Sequence, residues 1–432
     1  MEVLYLTYDG LLDPLGQSQI LPYLSGLHRE SGVSFHILSF EKQDRWRKMG
    51  HQLRAKLRKE GMAWTPLSFT RRPPFLAKAY DTLRFYRAAR QIVLQKQIAF
   101  LHARSYVAGW IAHRLSNRYR LPWIFDMRGF WADEKRETGA WPAHNPFFNA
   151  LYRLWKRREA QMLSSASAIV VLTEAAKETL QGWGLSPSQV SVIPCTADYS
   201  HFYLPEEAYP AVRKAIRERL HIPLSAFVLG YVGSIGPLYE LDEMLHFFSQ
   251  LQKVEPNSFM VFYTPASPEK IRSAASAKGI PSENLRIQLL SREELPQYLT
   301  ALDASIIFCK PGFSRKGSSP TRIAELLAMN IPVVAQADLG DNLRLAQMIE
   351  GLYLCPQTTP EAYAPIIQTL LETHQRRGRE GSPRSSSQPL LSLEVGLSRY
   401  LQVYAALSSL RFPGRPLPLT HEGNHQAQEK SN

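Results

Sequence analysis

Short, wholly apolar runs alternate with longer segments of helical periodicity along most of the chain, and this alternation restricts the fold more than any other feature. In the first half the apolar runs span 3–7, 33–40, 98–102, 123–126, 168–172 and 190–193, and helical segments such as 17–30, 76–95 and 146–164 separate them. Strands without polar alternation are typical of parallel sheets that are covered on both faces. The pattern therefore predicts strand–helix–strand units.

The second half repeats the alternation, with apolar runs at 227–232, 259–263, 285–289, 304–308 and 332–335. Two repeats of the pattern predict an α/β protein with two Rossmann-like, doubly wound domains that face a central cleft. We place the first domain at 1–200 and the second at 205–375, because acidic residues and prolines interrupt the pattern near 196–209. Ligands of such sheets bind at the carboxyl ends of the strands.

The pattern fades after about residue 372. Residues 376–390 are rich in Arg, Ser and Gly and are predicted to form a flexible linker. An amphipathic segment at 391–410 predicts one more helix, which we expect to cross back onto the first domain. Residues 411–432 are predicted to be a disordered tail.

Positive charge is concentrated in the first half of the chain. Lys and Arg number 51 against 38 Asp and Glu, a net charge of +13. Residues 1–200 contain 28 basic and 16 acidic residues, so the first domain alone carries +12. A domain with this charge attracts polyanions such as nucleic acid, an anionic membrane or a phosphorylated substrate.

The cysteines and the apolar runs predict a cytoplasmic protein. Cys195, Cys309 and Cys355 are widely spaced and odd in number, which fits a reducing compartment and neither a disulfide framework nor a zinc site. No apolar run approaches the roughly 20 residues of a membrane span, and the N-terminus is expected to be a buried strand. The histidines are scattered, so we expect no metal site.

The segment 308–335 carries the strongest chemical signal. A predicted strand ends in a loop with the basic residues Lys310, Arg315 and Lys316. Ser319 and Pro320 are typical N-cap and N1 residues of the helix that follows. Cations beside a helix N-terminus can hold an anion such as a diphosphate, and Glu325 can accept hydrogen bonds from two ribose hydroxyls. The alternative is that the serine caps a core helix and that Glu325 faces solvent.

This segment resembles the donor-nucleotide motif of family-4 glycosyltransferases, which are retaining enzymes of the GT-B fold. Glu325 matches the second glutamate of the family motif, and Gly317 stands where the family has the first. Ser318, Ser319 and Thr321 lie in a run that resembles the Ser-Ser-Pro-Thr-Lys of many bacterial members. The resemblance implies that these serines, Thr321 and Glu325 bind a nucleotide-diphosphate sugar. Because the first glutamate is absent, the resemblance identifies the nucleotide site but not the donor sugar.

A second patch, 229–239, resembles the first strand and glycine turn of the family's donor domain. Gly233 lies in the turn, and Ser234 and Tyr239 stand near the positions of the Arg and Lys that usually grip the diphosphate. We therefore expect Lys310 and Lys316 to supply the positive charge in catalysis.

The first domain has candidate residues at the ends of three predicted strands. Gly16 and Gln17 lie where the family carries a glycine-rich loop that faces the donor phosphates. The other candidates are Asp126 and Arg128 after one strand and His102 and Arg104 after another. The resemblance implies that Arg128 stabilises the leaving phosphate or positions the acceptor, and that the other three line the substrate cleft. For each of these residues, the alternative to a role in substrate binding is a role in packing or a position on the surface.

The resemblance implies a hexosyltransferase that moves a sugar to a glycan or lipid-linked saccharide, with retention of anomeric configuration and without a cofactor or metal. A role in cell-envelope polysaccharide synthesis follows from the same resemblance. One alternative is a nucleic-acid-binding protein, although no such signature accompanies the charge and no nucleic acid partner is expected. Another is a different GT-B enzyme, such as a nucleotide-sugar epimerase or a phosphorylase.

The segment 42–61 suggests contact with an anionic membrane. Trp46, Met49, Leu53 and Leu57 follow one side of a predicted helix among many basic residues, and 71–75 adds a basic loop with an apolar end. The alternative is a helix whose apolar side packs into the core and whose basic side is solvated.

Overall fold

The structure, a computed structural model, describes residues 1–70, 74–375 and 382–409. Two parallel sheets organise the chain, and each is covered by helices on both faces. The first sheet is formed by β1 (Glu2–Thr7), β2 (Ser34–Glu41), β3 (Ala63–Ser68), β4 (Ile98–Arg104), β5 (Trp123–Asp126), β6 (Ala168–Val171) and β7 (Val190–Val192). The second is formed by β8 (Phe227–Val232), β9 (Ser258–Tyr263), β10 (Leu285–Gln288), β11 (Ala304–Ile307), β12 (Val333–Gln336) and β13 (Leu352–Cys355). The predicted α/β class with two doubly wound domains is confirmed.

The order of strands reverses once in each sheet. The first sheet runs β3-β2-β1-β4-β5-β6-β7 and the second runs β10-β9-β8-β11-β12-β13, and every neighbouring pair is parallel. The reversals fall between β1 and β4 and between β8 and β11. At such a point the connecting helices leave to opposite faces, which opens a crevice at the carboxyl ends of the strands.

Helices connect the strands of the first sheet. They are α1 (Pro14–Gln19), α2 (Leu21–Ser31), α3 (Gln43–Arg45), α4 (His51–Lys59), α5 (Pro74–Gln95), α6 (Ser105–Tyr119), α7 (Trp131–Glu137), α8 (Pro146–Ser165) and α9 (Glu174–Gly182). A π-helical turn, Trp46–Gly50, joins α3 to α4. The helix predicted over 17–30 is broken at Ile20 into α1 and α2.

The second domain and the C-terminal segment contain the remaining helices. They are α10 (Tyr209–Arg219), α11 (Leu241–Val254), α12 (Pro268–Ala277), α13 (Leu295–Leu299), α14 (Thr321–Ala328), α15 (Asn342–Leu345), α16 (Pro360–Gln375), α17 (Pro383–Leu391) and α18 (Leu393–Ser409). Short 3-10 turns lie at Pro187–Gln189, Ser282–Asn284 and Phe313–Gly317.

Each sheet separates two apolar cores. In the first domain β1 contributes Leu4 and Leu6 to the core beneath α5, α6 and α8, and Val3 and Tyr5 to the core beneath α2 and α4. This split follows from the period-two alternation of side chains along a strand. The apolar side of 42–61 belongs to the second of these cores, because Leu53 and Leu57 are buried and Trp46 packs on Trp64 with ring centres 5.5 Å apart. This packing follows the core-packed alternative, apart from Met49, which is 40% exposed. The predicted basic loop at 71–75 lies outside the residues whose side chains the structure describes.

The C-terminal segment returns to the first domain. Leu397, Val403 and Leu407 of α18 join the apolar core beneath α2 and α4. The prediction of a flexible linker over 376–390 is wrong for 383–390, which form most of α17, and residues 376–381 lie outside the described residues. The predicted tail, 411–432, also lies outside them.

Candidate functional site

The crevice between β8 and β11 holds the residues that are best placed to bind a ligand. β8 ends in a turn at Gly233, whose φ of 111° lies in the left-handed region that favours glycine. β11 ends at Ile307, and Phe308 and Cys309 follow it. Backbone hydrogen bonds from the Glu240 amide to the Phe308 carbonyl and from the Lys310 amide to the Leu238 carbonyl connect the two loops. The strand ends face the first domain, so the crevice opens into the cleft between the domains.

Arg322 is the cation that lies against the glycine turn. A Cβ atom at Gly233 would approach Arg322 Nη2 to 2.6 Å, so only glycine leaves space for this guanidinium. Arg322 Nη1 donates to Tyr231 Oη at 2.7 Å, and the guanidinium carbon lies 4.5 Å from the centre of the Tyr239 ring. These contacts hold a positive charge where the family's cations are expected. Ser234 itself is exposed, and Tyr239 supplies the ring on which the guanidinium rests.

Arg315 is a second cation close to Cys309 and, unlike the half-buried Arg322, it is buried. Its side chain is 2% exposed, Nη2 donates to Ser314 Oγ at 2.6 Å, and Nη1 has no hydrogen-bond partner among the described residues. Glu134 of α7 approaches Nη2 to 3.7 Å from the first domain. Burial raises the pKa of the Cys309 thiol to about 12, and the charges of Arg315 and Arg322 oppose that rise. Both guanidinium groups are therefore within electrostatic reach of the end of β11.

Glu325 lies one turn beyond Arg322 on α14. Its side chain is 12% exposed, and Arg292 Nη1 is 3.3 Å from Oε1. Burial raises the pKa of Glu325, and the charges of Arg292 and Arg322 oppose this rise. The alternative in which Glu325 simply faces solvent is thus wrong, because the carboxylate is largely enclosed and paired.

The start of α14 differs from the sequence prediction. The helix begins at Thr321 with Pro320 as its N-cap residue, and Ser319 does not cap it. Ser319 Oγ instead accepts a hydrogen bond from the Cys195 amide of the first domain at 3.2 Å. Ser318 closes the preceding 3-10 turn with a bond to the Arg315 carbonyl. The serines therefore join the domains and shape the loop.

The position of the family's first glutamate is enclosed. A Cβ atom at Gly317 would lie 2.9 Å from the Cα of Gly129 and 3.1 Å from the Phe130 ring, both in the loop after β5. Thr173, which caps α9, also donates to the Lys316 carbonyl across the cleft. The first domain therefore fills the volume that a glutamate side chain would need.

Lys310 and Lys316, which the sequence suggested as the source of positive charge, differ from Arg315 in burial. Both lysine side chains are exposed, and the ammonium of Lys316 lies over the Phe313 ring at 5.8 Å. Lys310 lines a cavity with Gly236 and Tyr239, so its role in charge stabilisation stays a prediction.

Four predicted residues of the first domain form one buried cluster instead of a cleft lining. Asp126 receives a hydrogen bond from Tyr400 of α18 at 3.1 Å, and it lies 3.6 Å from Arg104 Nη1 and 3.8 Å from Arg128 Nη1. The His102 ring pairs through Nδ1 with Tyr404 Oη at 2.7 Å. Burial alone would raise the pKa of Asp126, but Arg128, His102 and Arg104 hold it below its ordinary value.

Arg128 has an unusual backbone conformation within this cluster. Its φ is 58°, and its side chain is directed to Cys195 Sγ at 3.1 Å, not into the crevice. The expectation that Arg128 reaches the leaving phosphate therefore does not match its orientation. His102 and Arg104 are buried beneath α18 or beside Asp9, which explains why strand-end position alone misled the prediction.

Gly16 and Gln17 shape their own loop. A Cβ atom at Gly16 would lie 2.2 Å from the Gly10 carbonyl oxygen, so this glycine permits backbone packing within the chain. Gln17 Nε2 donates to the Leu11 carbonyl at 2.8 Å. Neither residue offers an open face to a ligand, because Gly16 is buried and the amide of Gln17 already holds the loop.

Arg315 and Arg322 are the residues that the site prediction missed. Arg322 ends the Ser-Ser-Pro-Thr-Arg run, so its place three residues before Glu325 on a helix was a usable signal. Arg315 had no such signal, because its loop contains three cations in seven residues and burial alone distinguishes it.

Among the described residues, no group of three or more His, Cys, Asp or Glu side chains is arranged to hold a metal ion. None of the helices described has the length and apolar character needed to cross a membrane.

Comparison with known proteins agrees with this architecture. Residues 17–196 match the family model described as glycosyl transferase 4-like domain, and residues 212–381 match glycosyl transferases group 1. The D-inositol 3-phosphate glycosyltransferase of Kineococcus radiotolerans is 24% identical over 308 residues, which cover 67% of each chain. The enzyme of the same name from Xylanimonas cellulosilytica is 23% identical over 59% of this chain and 60% of its own.

The structure of Anabaena HepE in complex with UDP-glucose is similar to this chain with a TM-score of 0.69 and 15% identity, and the match covers 95% of this chain and all of HepE. Matched models for both domains, together with the two facing parallel sheets, show the fold and the general activity. The chain is a glycosyltransferase and belongs to the family-4 glycosyltransferases of the GT-B fold.

Proposed function

We propose that the protein transfers a hexosyl group from a nucleotide-diphosphate sugar to a glycan or lipid-linked saccharide, with retention of anomeric configuration. One observation carries the donor assignment. Arg322 lies against the glycine turn at Gly233, and the enclosed carboxylate of Glu325 follows on the same helix. The buried Arg315 adds a second cation, and the charges of both arginines act on Cys309, which follows β11. This arrangement offers cations to a diphosphate and an acceptor to ribose hydroxyls.

Charge stabilisation is the main catalytic contribution in this proposal. As the bond to the anomeric carbon breaks, negative charge grows on the departing diphosphate, and fixed donors in an enclosed site stabilise it strongly. Arg322 is already oriented by Tyr231 and Tyr239, so it needs little reorganisation. The proposal assigns this role to arginine side chains and not to a metal ion or cofactor.

We assign the protein to the cytoplasm and to cell-envelope polysaccharide synthesis. All three cysteines are unpaired, as expected in a reducing compartment. Product analysis separates this function from nucleotide-sugar epimerisation: transfer yields a glycosylated acceptor and free nucleotide diphosphate, whereas epimerisation changes only the donor sugar.

Calorimetry with nucleotide diphosphates tests the donor site. Glu325→Ala removes the acceptor of charge-assisted hydrogen bonds, worth about 1.5–3 kcal/mol, so affinity should fall about ten- to hundredfold. Arg322→Ala should strongly weaken binding of the nucleotide diphosphate and should change binding of the nucleoside little. Lys316→Ala is the matched control, since it removes an exposed cation from the same segment. Circular dichroism checks that each variant folds, and Arg322→Lys tests whether charge without the planar guanidinium suffices.

Unchanged affinity in folded Glu325→Ala would contradict the assignment of the ribose site. Equal losses in Arg322→Ala and Lys316→Ala would contradict the assignment of the diphosphate site, because a general effect of charge would then explain both.

A further inference from the structure

Three of the helices that cover one face of the first sheet, α5, α6 and α8, are strongly basic. Together they contain ten Lys and Arg residues and two acids. The acids, Asp81 and Glu159, are 1% and 2% exposed. On the parts of these helices that the structure describes, every exposed charge is therefore positive, and we call this surface the basic face.

The buried acids are engaged inside the domain. Asp81 accepts from the backbone amide and hydroxyl of Thr70, and Glu159 pairs with Lys156 and Tyr106. They therefore do not neutralise the outer surface. Exposed basic residues remain on all three helices: Lys78, Arg87, Arg90, Arg114, Arg118, Arg153 and Arg157.

Large apolar side chains project from the same face. Each is between 42% and 70% exposed, and they are Leu76, Tyr80, Leu83, Phe147 and Leu154. Leu76, Tyr80 and Leu83 follow the spacing i, i+4, i+7, which places them on one side of α5. Basic residues interleaved with exposed apolar residues are typical of helices that lie in a membrane interface.

The position of these apolar residues in the fold is also informative. A helix that links two parallel strands must begin at the carboxyl edge of the sheet and run back. Leu76 and Tyr80 lie in the first two turns of α5, and Phe147 is in the first turn of α8. Three of the five exposed apolar residues therefore lie at the edge of the first domain that borders the cleft, and Leu83 and Leu154 lie further along their helices.

We infer that the basic face, formed by α5, α6 and α8, binds an anionic lipid bilayer. Positive charge attracts the leaflet, and the apolar side chains insert among the lipid head groups at the cleft edge. A nucleic acid would use the charge but would leave exposed leucines without a partner, so a bilayer fits both properties. Binding itself does not depend on the donor site, although the delivery of a lipid-linked acceptor to the cleft rests on the proposed function.

The segment 42–61 provides a control, because it contains eight Lys and Arg residues but lies on the opposite face of the sheet. Its exposed cations include Arg47 and Arg58, and its apolar side chains Leu53 and Leu57 are buried in the core beneath α2 and α4. If charge alone caused binding, both faces would bind an anionic bilayer. The proposal instead predicts binding through the basic face only.

Co-sedimentation of the full chain with vesicles tests the inference. Wild-type protein should bind vesicles of phosphatidylcholine with phosphatidylglycerol and not vesicles of phosphatidylcholine alone. The double variant Arg87→Gln, Arg157→Gln should bind about thirtyfold more weakly, since each basic residue near an anionic leaflet contributes roughly fivefold. The control Arg47→Gln, Arg58→Gln should bind like wild type. Replacing Leu76, Tyr80 and Leu83 by Ser should cost about tenfold or more.

Several results would overturn the inference. These are equal binding to neutral and anionic vesicles, equal losses in the two double variants, or binding of single-stranded RNA without binding of vesicles. Calorimetry of nucleotide diphosphate binding in the same variants separates the two proposals, because the donor site should be unaffected by every change on the basic face.

Discussion

At the scale of single residues, the candidate site depends on which neighbouring cations are enclosed. Lys310, Arg315, Lys316 and Arg322 are close in sequence, but the two lysines are exposed, whereas Arg315 is buried and Arg322 is half-buried. A buried guanidinium can be held by planar stacking and several directed hydrogen bonds, which an ammonium cannot match. Arg322 shows this directly, since it stacks on Tyr239 while donating to Tyr231.

The prediction at the scale of single residues concerns Gly317. Gly317→Glu restores the residue of the family motif, but the closed cleft has no volume for it beside Gly129 and Phe130. We expect overpacking to destabilise the closed form by about 1–3 kcal/mol and to weaken nucleotide binding. Thermal unfolding and calorimetry measure the two effects. Gly317→Ala is the smaller control, and wild-type stability and affinity in Gly317→Glu would contradict the observed packing.

At the scale of elements, α17 shows how tertiary contacts order a segment of low apolar content. Ser382 and Pro383 provide an N-cap and a favourable first helical residue. Arg384 then donates to the carbonyls of Phe202, Ala328 and Tyr199, each at 2.6–2.7 Å. These carbonyls come from two different elements and lie beyond the reach of local sequence.

Arg384 is therefore predicted to be important for stability. Arg384→Ala leaves three carbonyls without their charged donor, and we expect the free energy of unfolding to fall by about 3 kcal/mol. Arg399→Ala is a graded control, because Arg399 donates to the single carbonyl of Val192. Denaturant unfolding measures both. Equal losses in the two variants would show that α17 is not held by this guanidinium.

At the scale of the whole molecule, the second domain caps a helix of the first. Asp341 accepts hydrogen bonds from the amides of Glu174 and Ala175, at 2.6 and 3.1 Å, at the start of α9. Arg344 pairs with Glu178 of the same helix. Side chains of one domain thus satisfy the free N–H groups of a helix in the other, and this favours a closed cleft.

The corresponding prediction concerns domain closure. Asp341→Ala removes the cap, worth about 1 kcal/mol, so the ratio of closed to open molecules should fall about fivefold. Small-angle X-ray scattering should show a larger radius of gyration without nucleotide and a return to the wild-type value with saturating nucleotide diphosphate. Asp338→Ala, which removes an exposed carboxylate nearby, should leave the radius unchanged. Identical radii for all three proteins would contradict a closing role for Asp341.

The two-domain α/β architecture could be predicted from the pattern of apolar runs alone. Runs such as those of β5 and β8 are recognisable because strands buried on both faces must be apolar throughout. The missed strands, β3 and β13, are both sheet edges. β3 contains Thr65 and Pro66, which an edge strand tolerates because one side of its ladder has no partner.

Which charged residues line the candidate site depends on burial by elements that are distant in sequence. The motif predicted Glu325 because its spacing lies within one helix, where sequence separation determines proximity. The burial of Arg315, the outward turn of Lys316 and the enclosure of Gly317 depend on α7 and the loop after β5, which are more than 170 residues away in sequence. Asp126 and Arg128 were likewise correct as strand-end residues, yet α18 covers them from the far end of the chain. Contacts at such separations leave no local pattern, because burial is set by whatever element packs above.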